Sequence, residues 1–220
     1  MLAFLTALVG WRRVSSATAP MAVGLARAGV AGGTLADSTK EELFVRILAG
    51  IPTEQAERVG RRFAREHLAH HERVDVRARF DWHQGRGDRV VIVSASPEVY
   101  VVEVGRLLGA DGVIATRLAA HDGVLTGKYE GANCRGEEKL RRLLVWIDEQ
   151  EIDAPDGEDG EDGDPGGSSN SRLWAYGNSR GDLRMLRAAD IGVNVGRLGR
   201  WGRLAQFPTL RATEPGPLSR

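Results

Sequence analysis

The chain has 220 residues, 42% of them hydrophobic, with 30 basic and 30 acidic side chains and a formal net charge of +0. That length suits one α/β domain with a small cap, and the balanced charge gives no global field to draw nucleic acid or an anionic membrane. The single cysteine, Cys134, excludes an internal disulfide framework and any multi-cysteine metal knuckle.

In chain order, residues 1–80 read as helical, with apolar spacing such as Leu43, Ile47 and Leu48 and turn punctuation at Gly29–Gly33 and Gly50-Ile51-Pro52. The apolar run from Met1 to Gly10 has no basic residue before it and Trp11-Arg12-Arg13 after it, the wrong polarity for a signal peptide. No transmembrane segment is expected, because no stretch reaches the ~20 apolar residues a bilayer requires. The expected compartment is cytoplasmic, with membrane association of the N-terminal third left open. Thr53 before Glu54 and Glu57 predicts an N-cap opening a helix that runs to about His70. His67, His70 and His71 share that helix, but Arg65 and Arg73 disfavour a cation, so the triplet reads as a solvated face.

Beyond residue 85 the pattern changes. Arg89–Val93 is a short β-branched run ended by Ser94-Ala95-Ser96-Pro97, which predicts a buried parallel strand and a helix starting at Pro97, with Val101, Val104, Leu107 and Leu108 inward. Asp111–Thr116 follows as a second strand, and Leu118–Tyr129 carries Asp122-Gly123 between two short arms, a hairpin signal. Gly136–Ile147 returns to helix; Leu173–Tyr176 and Ile191–Val195 are further strands with the helix Asp182–Ala189 between them. This alternation predicts an α/β, Rossmann-like, doubly wound parallel sheet.

The expected organisation is a helical cap region at 1–80, an α/β core at 81–200, and a loose tail at 201–220. The core carries an acidic Gly-Ser insertion at about 151–171, whose composition cannot bury enough apolar surface to offset ordering entropy. That insertion lacks the downstream glutamate of an EF-hand loop. Gly196, Gly199 and Gly202 lack the spacing of a dinucleotide-binding loop.

Ligands of an open parallel sheet bind beyond the carboxyl ends of its strands, and three polar clusters fall at or near that edge. Ser94 and the following Ala95 N–H end the first strand near a helix N-terminus, a phosphate cradle or a simple helix cap. Asn178 and Asp182 follow the third strand and stand four residues apart, able to converge on a cation or to cap a turn. Lys139 lies on a helix and, taken singly, reads as a surface lysine.

Taken together, Val90–Ser96, Asn133–Leu140 and Tyr176–Met185 resemble motifs two, three and four of the haloacid dehalogenase-like (HAD) superfamily. The nearest pattern is subfamily IB, which holds phosphoserine phosphatases and phosphatidylglycerophosphate phosphatases of the C type. The resemblance spans roughly residues 1–200 and implies an Mg²⁺-dependent phosphomonoester hydrolase. In that scheme an aspartate attacks phosphorus and a second aspartate protonates the leaving oxygen. Ser94 and Ala95 would bind the phosphoryl group, Lys139 would bind it and offset charge, and Asn178 and Asp182 would serve the metal. Arg135 competes with Lys139 for the basic role. Asparagine at 178 removes one negative charge from the metal site.

The resemblance also implies an apolar strand ending in Asp-x-Asp-Gly-Thr. The only Asp-x-Asp here is Asp162-Gly-Asp164, inside the acidic insertion. The nucleophile and the first central strand are therefore missing from these 220 residues. The expectation is a phosphatase whose first motif lies upstream; the alternative is a catalytically inactive binding module. The expected substrate is a small-molecule phosphate ester such as phosphoserine, or a lipid phosphate, and oligomeric state is not legible.

Overall fold

Leucines, phenylalanines and isoleucines spaced three and four apart build the first half of the chain. In the computed structural model, residues 1–22, 24, 33–152, 172–196 and 202–210 are described. Two short helices, α1 (Leu2–Val9) and α2 (Trp11–Thr18), meet at Gly10 and are followed by α3 (Gly33–Leu48), α4 (Thr53–His71) and α5 (Val74–Gly85). The apolar N-terminal run is core: Phe4 and Leu5 are fully buried with Leu43, Phe44, Ile47 and Leu48. The Phe4 ring centroid lies 5.6 Å from that of Phe63 and 4.8 Å from that of Tyr100. Among the described residues no helix is long and apolar enough to cross a membrane.

The chain divides into two compact units, one formed mainly by Met1–Arg135 and the other mainly by Gly136–Arg211. The sequence pattern changes near residue 85, but the packing divides fifty residues later, because the first strand pair and its helix pack on the N-terminal helices.

In the first unit, β1 (Val91–Pro97) pairs in parallel with β2 (Gly112–Thr116), Val93 opposite Ile114, and α6 (Glu98–Leu108) connects them. Helix α6 packs tightly on α4: a Cβ on Gly60 would stand 2.2 Å from the Val99 carbonyl oxygen. Glu103, 6% exposed, receives Arg106 through two hydrogen bonds of 2.8 and 2.9 Å and Arg65 of α4 at 3.1 Å. The hairpin appears as β3 (Leu118–His121) and β4 (Val124–Tyr129), antiparallel, with Asp122 at φ 49° and Gly123 at φ 75°. Two consecutive left-handed residues make the turn whose twist matches paired strands. Thr53 is not the cap of α4: Pro52 is, and the Thr53 hydroxyl donates to the Gly123 carbonyl at 3.0 Å. The hairpin turn competes for that hydroxyl and wins.

In the second unit, α7 (Glu137–Ile152) precedes β5 (Trp174–Gly177), a 3₁₀ turn at Arg180–Asp182, α8 (Leu183–Ala188) and β6 (Ile191–Asn194). Strands β5 and β6 are parallel, Trp174 opposite Ile191. Part of the expected loose tail is attached: Thr209 bridges Asn194, and the Asn194 N–H donates to the Pro208 carbonyl at 2.8 Å. The parallel α/β sheet is thus present as two separate two-stranded pieces among the described residues. Residues 153–171, most of the acidic insertion, lie outside the described residues.

Candidate functional site

Strand β5 runs out at Gly177, and the chain turns through Asn178 and Ser179 into the 3₁₀ turn. Ser179 caps that turn in a reciprocal capping box with Asp182, which is at once the third turn residue and the N-cap position of α8, its carboxylate spent on the capping box rather than on an α8 N–H. The Asp182 carboxylate is 5% exposed yet saturated. Its Oδ2 accepts the N–H groups of Asn178 (3.1 Å) and Ser179 (2.9 Å) and lies 2.8 Å from the Ser179 hydroxyl. Its Oδ1 accepts from Lys139 Nζ at 2.6 Å. Burial alone would raise the Asp182 carboxyl, but the Lys139 ammonium and the Ser179 and Asn178 donors hold it below its usual range.

Lys139 is therefore no surface lysine; its side chain is as buried as its partner's. Of the two cations in the third motif, Lys139 reaches the Asp182 carboxylate, whereas Arg135 belongs to the first unit and pairs with Asp37 at 3.5 Å. Asn178 is exposed, and its side-chain amide has no protein partner among the described residues. As a Mg²⁺ shell this pair falls short. It offers one neutral amide oxygen and one carboxylate already paired with an ammonium, whereas Mg²⁺, which keeps several waters, is held by one or two free carboxylates together with substrate phosphate. Among the described residues no group of three His, Cys, Asp or Glu side chains could hold a metal ion. His67 stacks on Phe63 and His71 instead.

Ser94 and Ala95 lie in the first unit, in the C-terminal half of β1. The Ser94 hydroxyl oxygen accepts the Ser96 N–H at 3.1 Å, which leaves the hydroxyl proton to donate elsewhere. The helix cap is Pro97, so Ser94 is not the N-cap.

Around Ala95 stands a polar cluster that the sequence reading did not identify. Lys40 of α3 donates to the Ala95 carbonyl and to Asn133 Oδ1, the latter at 2.8 Å. Asn133 Nδ2 donates to Asp37 Oδ1 at 2.6 Å, and the Thr116 hydroxyl lies 3.1 Å from the Ala95 carbonyl oxygen and 2.9 Å from Asn133 Oδ1. A lysine must face the amide oxygen and a carboxylate the amide nitrogen, so the Asn133 orientation is fixed by its neighbours. The Cys134 N–H donates to the Thr116 oxygen at 3.1 Å. Burial pushes the Lys40 ammonium down to about 8, opposed by the nearby Asp37 carboxylate. The rings of Phe44 and Tyr129 lie 5.3 and 5.6 Å from its nitrogen. The signal available in sequence was one of only three lysines, placed on an apolar helix.

Protein CicA of Caulobacter vibrioides is 35% identical over 146 residues, covering 66% of this chain and 57% of its own. A histidinol-phosphatase of Neisseria meningitidis is 29% identical over 149 residues, covering 67% of this chain and 61% of its own. The chain thus spans less than two thirds of the length of these relatives. A crystal structure of a protein of unknown function from Bordetella pertussis superimposes with a TM-score of 0.70 at 20% identity, over 96% of this chain and 90% of that one. The family model for haloacid dehalogenase-like hydrolases matches residues 1–187, a span that takes in β1, α7 and the buried Lys139–Asp182 pair. The chain belongs to the haloacid dehalogenase-like hydrolase family.

Proposed function

We propose that this chain binds phosphate monoesters as a member of subfamily IB, and that it serves their hydrolysis. The observation that carries the reading is the buried Lys139–Asp182 pair. Asp182 takes one of the three Lys139 donors and holds the ammonium in a fixed place under cover, which leaves its other N–H groups for a phosphoryl oxygen. Ser94 keeps a hydroxyl proton for a phosphoryl oxygen because Ser96 occupies its acceptor side. The relative named histidinol-phosphatase supports a small phosphate ester as substrate. The apolar N-terminal third leans toward a lipid phosphate, but its burial as core gives that alternative no exposed acyl surface at Phe4 or Leu5.

Phosphoryl transfer in this family runs through an aspartate in line with phosphorus. Ser94 and Asp182 cannot take that role while one cradles phosphate and the other holds Lys139. The 220 residues hold no strand ending in Asp-x-Asp-Gly-Thr. A Mg²⁺ centre at Asn178 likewise requires carboxylates beyond Asp182. The test pairs inorganic phosphate binding by calorimetry with hydrolysis of p-nitrophenyl phosphate. The chain binds phosphate, loses that binding in Ser94→Ala, and shows no turnover. A version preceded by a strand ending in Asp-x-Asp-Gly-Thr gains turnover that Asp182→Ala abolishes. Phosphate binding that ignores Ser94 and Lys139 substitutions would sink the reading, and binding without turnover in both versions would favour the inactive binding module.

A further inference from the structure

We propose that Lys40 is a positioning residue for the Ser94–Ser96 segment, holding the Ala95 carbonyl on α3 so that the Ser94 hydroxyl is presented to a phosphoryl group. This rests on the phosphate-ester reading above.

A strand end offers an approaching phosphate both poles of its peptides, and a carbonyl oxygen directed at phosphate repels it. At Ala95, the residue immediately after Ser94, the carbonyl is withdrawn by Lys40 Nζ, which donates to it, with the Thr116 hydroxyl oxygen 3.1 Å away. The donor is itself fixed. Asn133, 6% exposed, takes a second N–H of Lys40, and its amide is anchored by Asp37 and Thr116. The same backbone tether could be made by a neutral donor at smaller desolvation cost. An ammonium differs in placing positive charge one peptide from the hydroxyl that would meet the phosphoryl group. The arrangement also couples α3 to the end of β1, since Lys40 and Ala95 are 55 positions apart in sequence.

The charged and titratable groups around Lys40 are Asp37 and Glu41 on its own helix, Tyr129 on β4, Cys134 and Arg135 beyond it, and the Met1 amine of α1. Tyr129 is raised out of range by burial, so the thiol and the Met1 amine are the groups that a pH experiment must separate from Lys40.

The experiment follows the ¹⁵N shift of the Ser96 amide, whose peptide contains the Ala95 carbonyl, from about pH 6.5 to about pH 10. The wild type titrates with a midpoint of about 8. Lys40→Met loses the titration, Lys40→Arg moves it above the range, and Cys134→Ala keeps it. A Ser96 amide that does not titrate, or that titrates alike in Lys40→Met, overturns the proposal.

The functional half is read by calorimetry with inorganic phosphate at one pH for all variants, so that the ligand's own ionisation cancels. Lys40→Met weakens phosphate binding about tenfold while Lys40→Arg stays within about threefold of wild type. A Lys40→Met variant that melts earlier yet binds phosphate as tightly as wild type shows a purely structural tether, and overturns it. Should Lys40→Met fail to fold, the Lys40→Arg shift in midpoint decides alone. Absence of phosphate binding in the wild type defeats the phosphate-ester reading instead, and the Ser96 titration then still decides whether Lys40 holds the segment.

Discussion

Lys139 sits under cover because Asp182 receives it, and Asp182 stays ionised because three further donors surround it. Removing one member of such a pair leaves the other charged and buried, a loss of about 3–5 kcal/mol. Lys139→Met should therefore lower unfolding free energy in urea by that order, and Lys139→Met with Asp182→Asn should recover part of it. Equal losses in the single and double variants would show that the pair does not act as a unit. The sign with pH follows from the lowered Asp182 carboxyl: its contribution is complete above the unfolded value of about 4 and is lost as pH falls through the folded value. Asn178 is the complementary case. Its exposed amide adds no charge, so Asn178→Asp should strengthen Mg²⁺ binding by about tenfold in calorimetry; no change would place any metal away from this turn.

Among the elements, α6 shows how contacts distant in sequence override a periodic reading. The pattern predicts Leu107 on the inner face, yet Leu107 is 38% exposed while Glu103 is 6% exposed. The cause is the close approach of α4 at Gly60, which turns Glu103 toward Arg65. The Arg106 and Arg65 guanidiniums hold the Glu103 carboxyl down to about 2. Stability carried by Glu103 is accordingly present above the usual carboxylate range and lost as pH falls toward about 2, so Glu103→Gln should flatten the acid limb of melting temperature against pH. A parallel, merely displaced curve would locate the acid sensitivity in other carboxylates. Gly60→Ala should destabilise by about 1–3 kcal/mol in denaturant unfolding, because the Val99 backbone cannot yield as a side chain would.

The strands and the hairpin were legible because their signals are local: β-branched runs, and Asp122-Gly123 between two arms. Ser94, Lys139 and Asp182 stand out in sequence by their place in the three polar segments, but the Lys139–Asp182 bond spans 43 positions and no period encodes it. The cluster at Asp37, Lys40, Thr116 and Asn133 was not legible at all, since it draws one residue each from strand and loop onto a helix that reads as ordinary.

Taken as a whole, the molecule distributes its apolar core unevenly. Among the described residues, the first unit buries α1, α3, α4, α6 and two strand pairs around Phe4 and Phe44, whereas the second has one two-stranded sheet with α7 and α8. A two-stranded pair is marginal without broad packing. Amide exchange should accordingly find β5 and β6 opening at lower free energy than α3 and α4. Matching protection in both would mean that the units unfold as one.

Cys134 reports on opening in the first unit instead. The chain's only thiol is fully buried, and its own N–H belongs to the Thr116 and Asn133 cluster. A thiol reagent reaches it only when the structure around β2 and the cluster opens. The labelling rate at high reagent concentration is then a stopwatch for opening beside the Lys40 and Asn133 cluster, read from a single native atom.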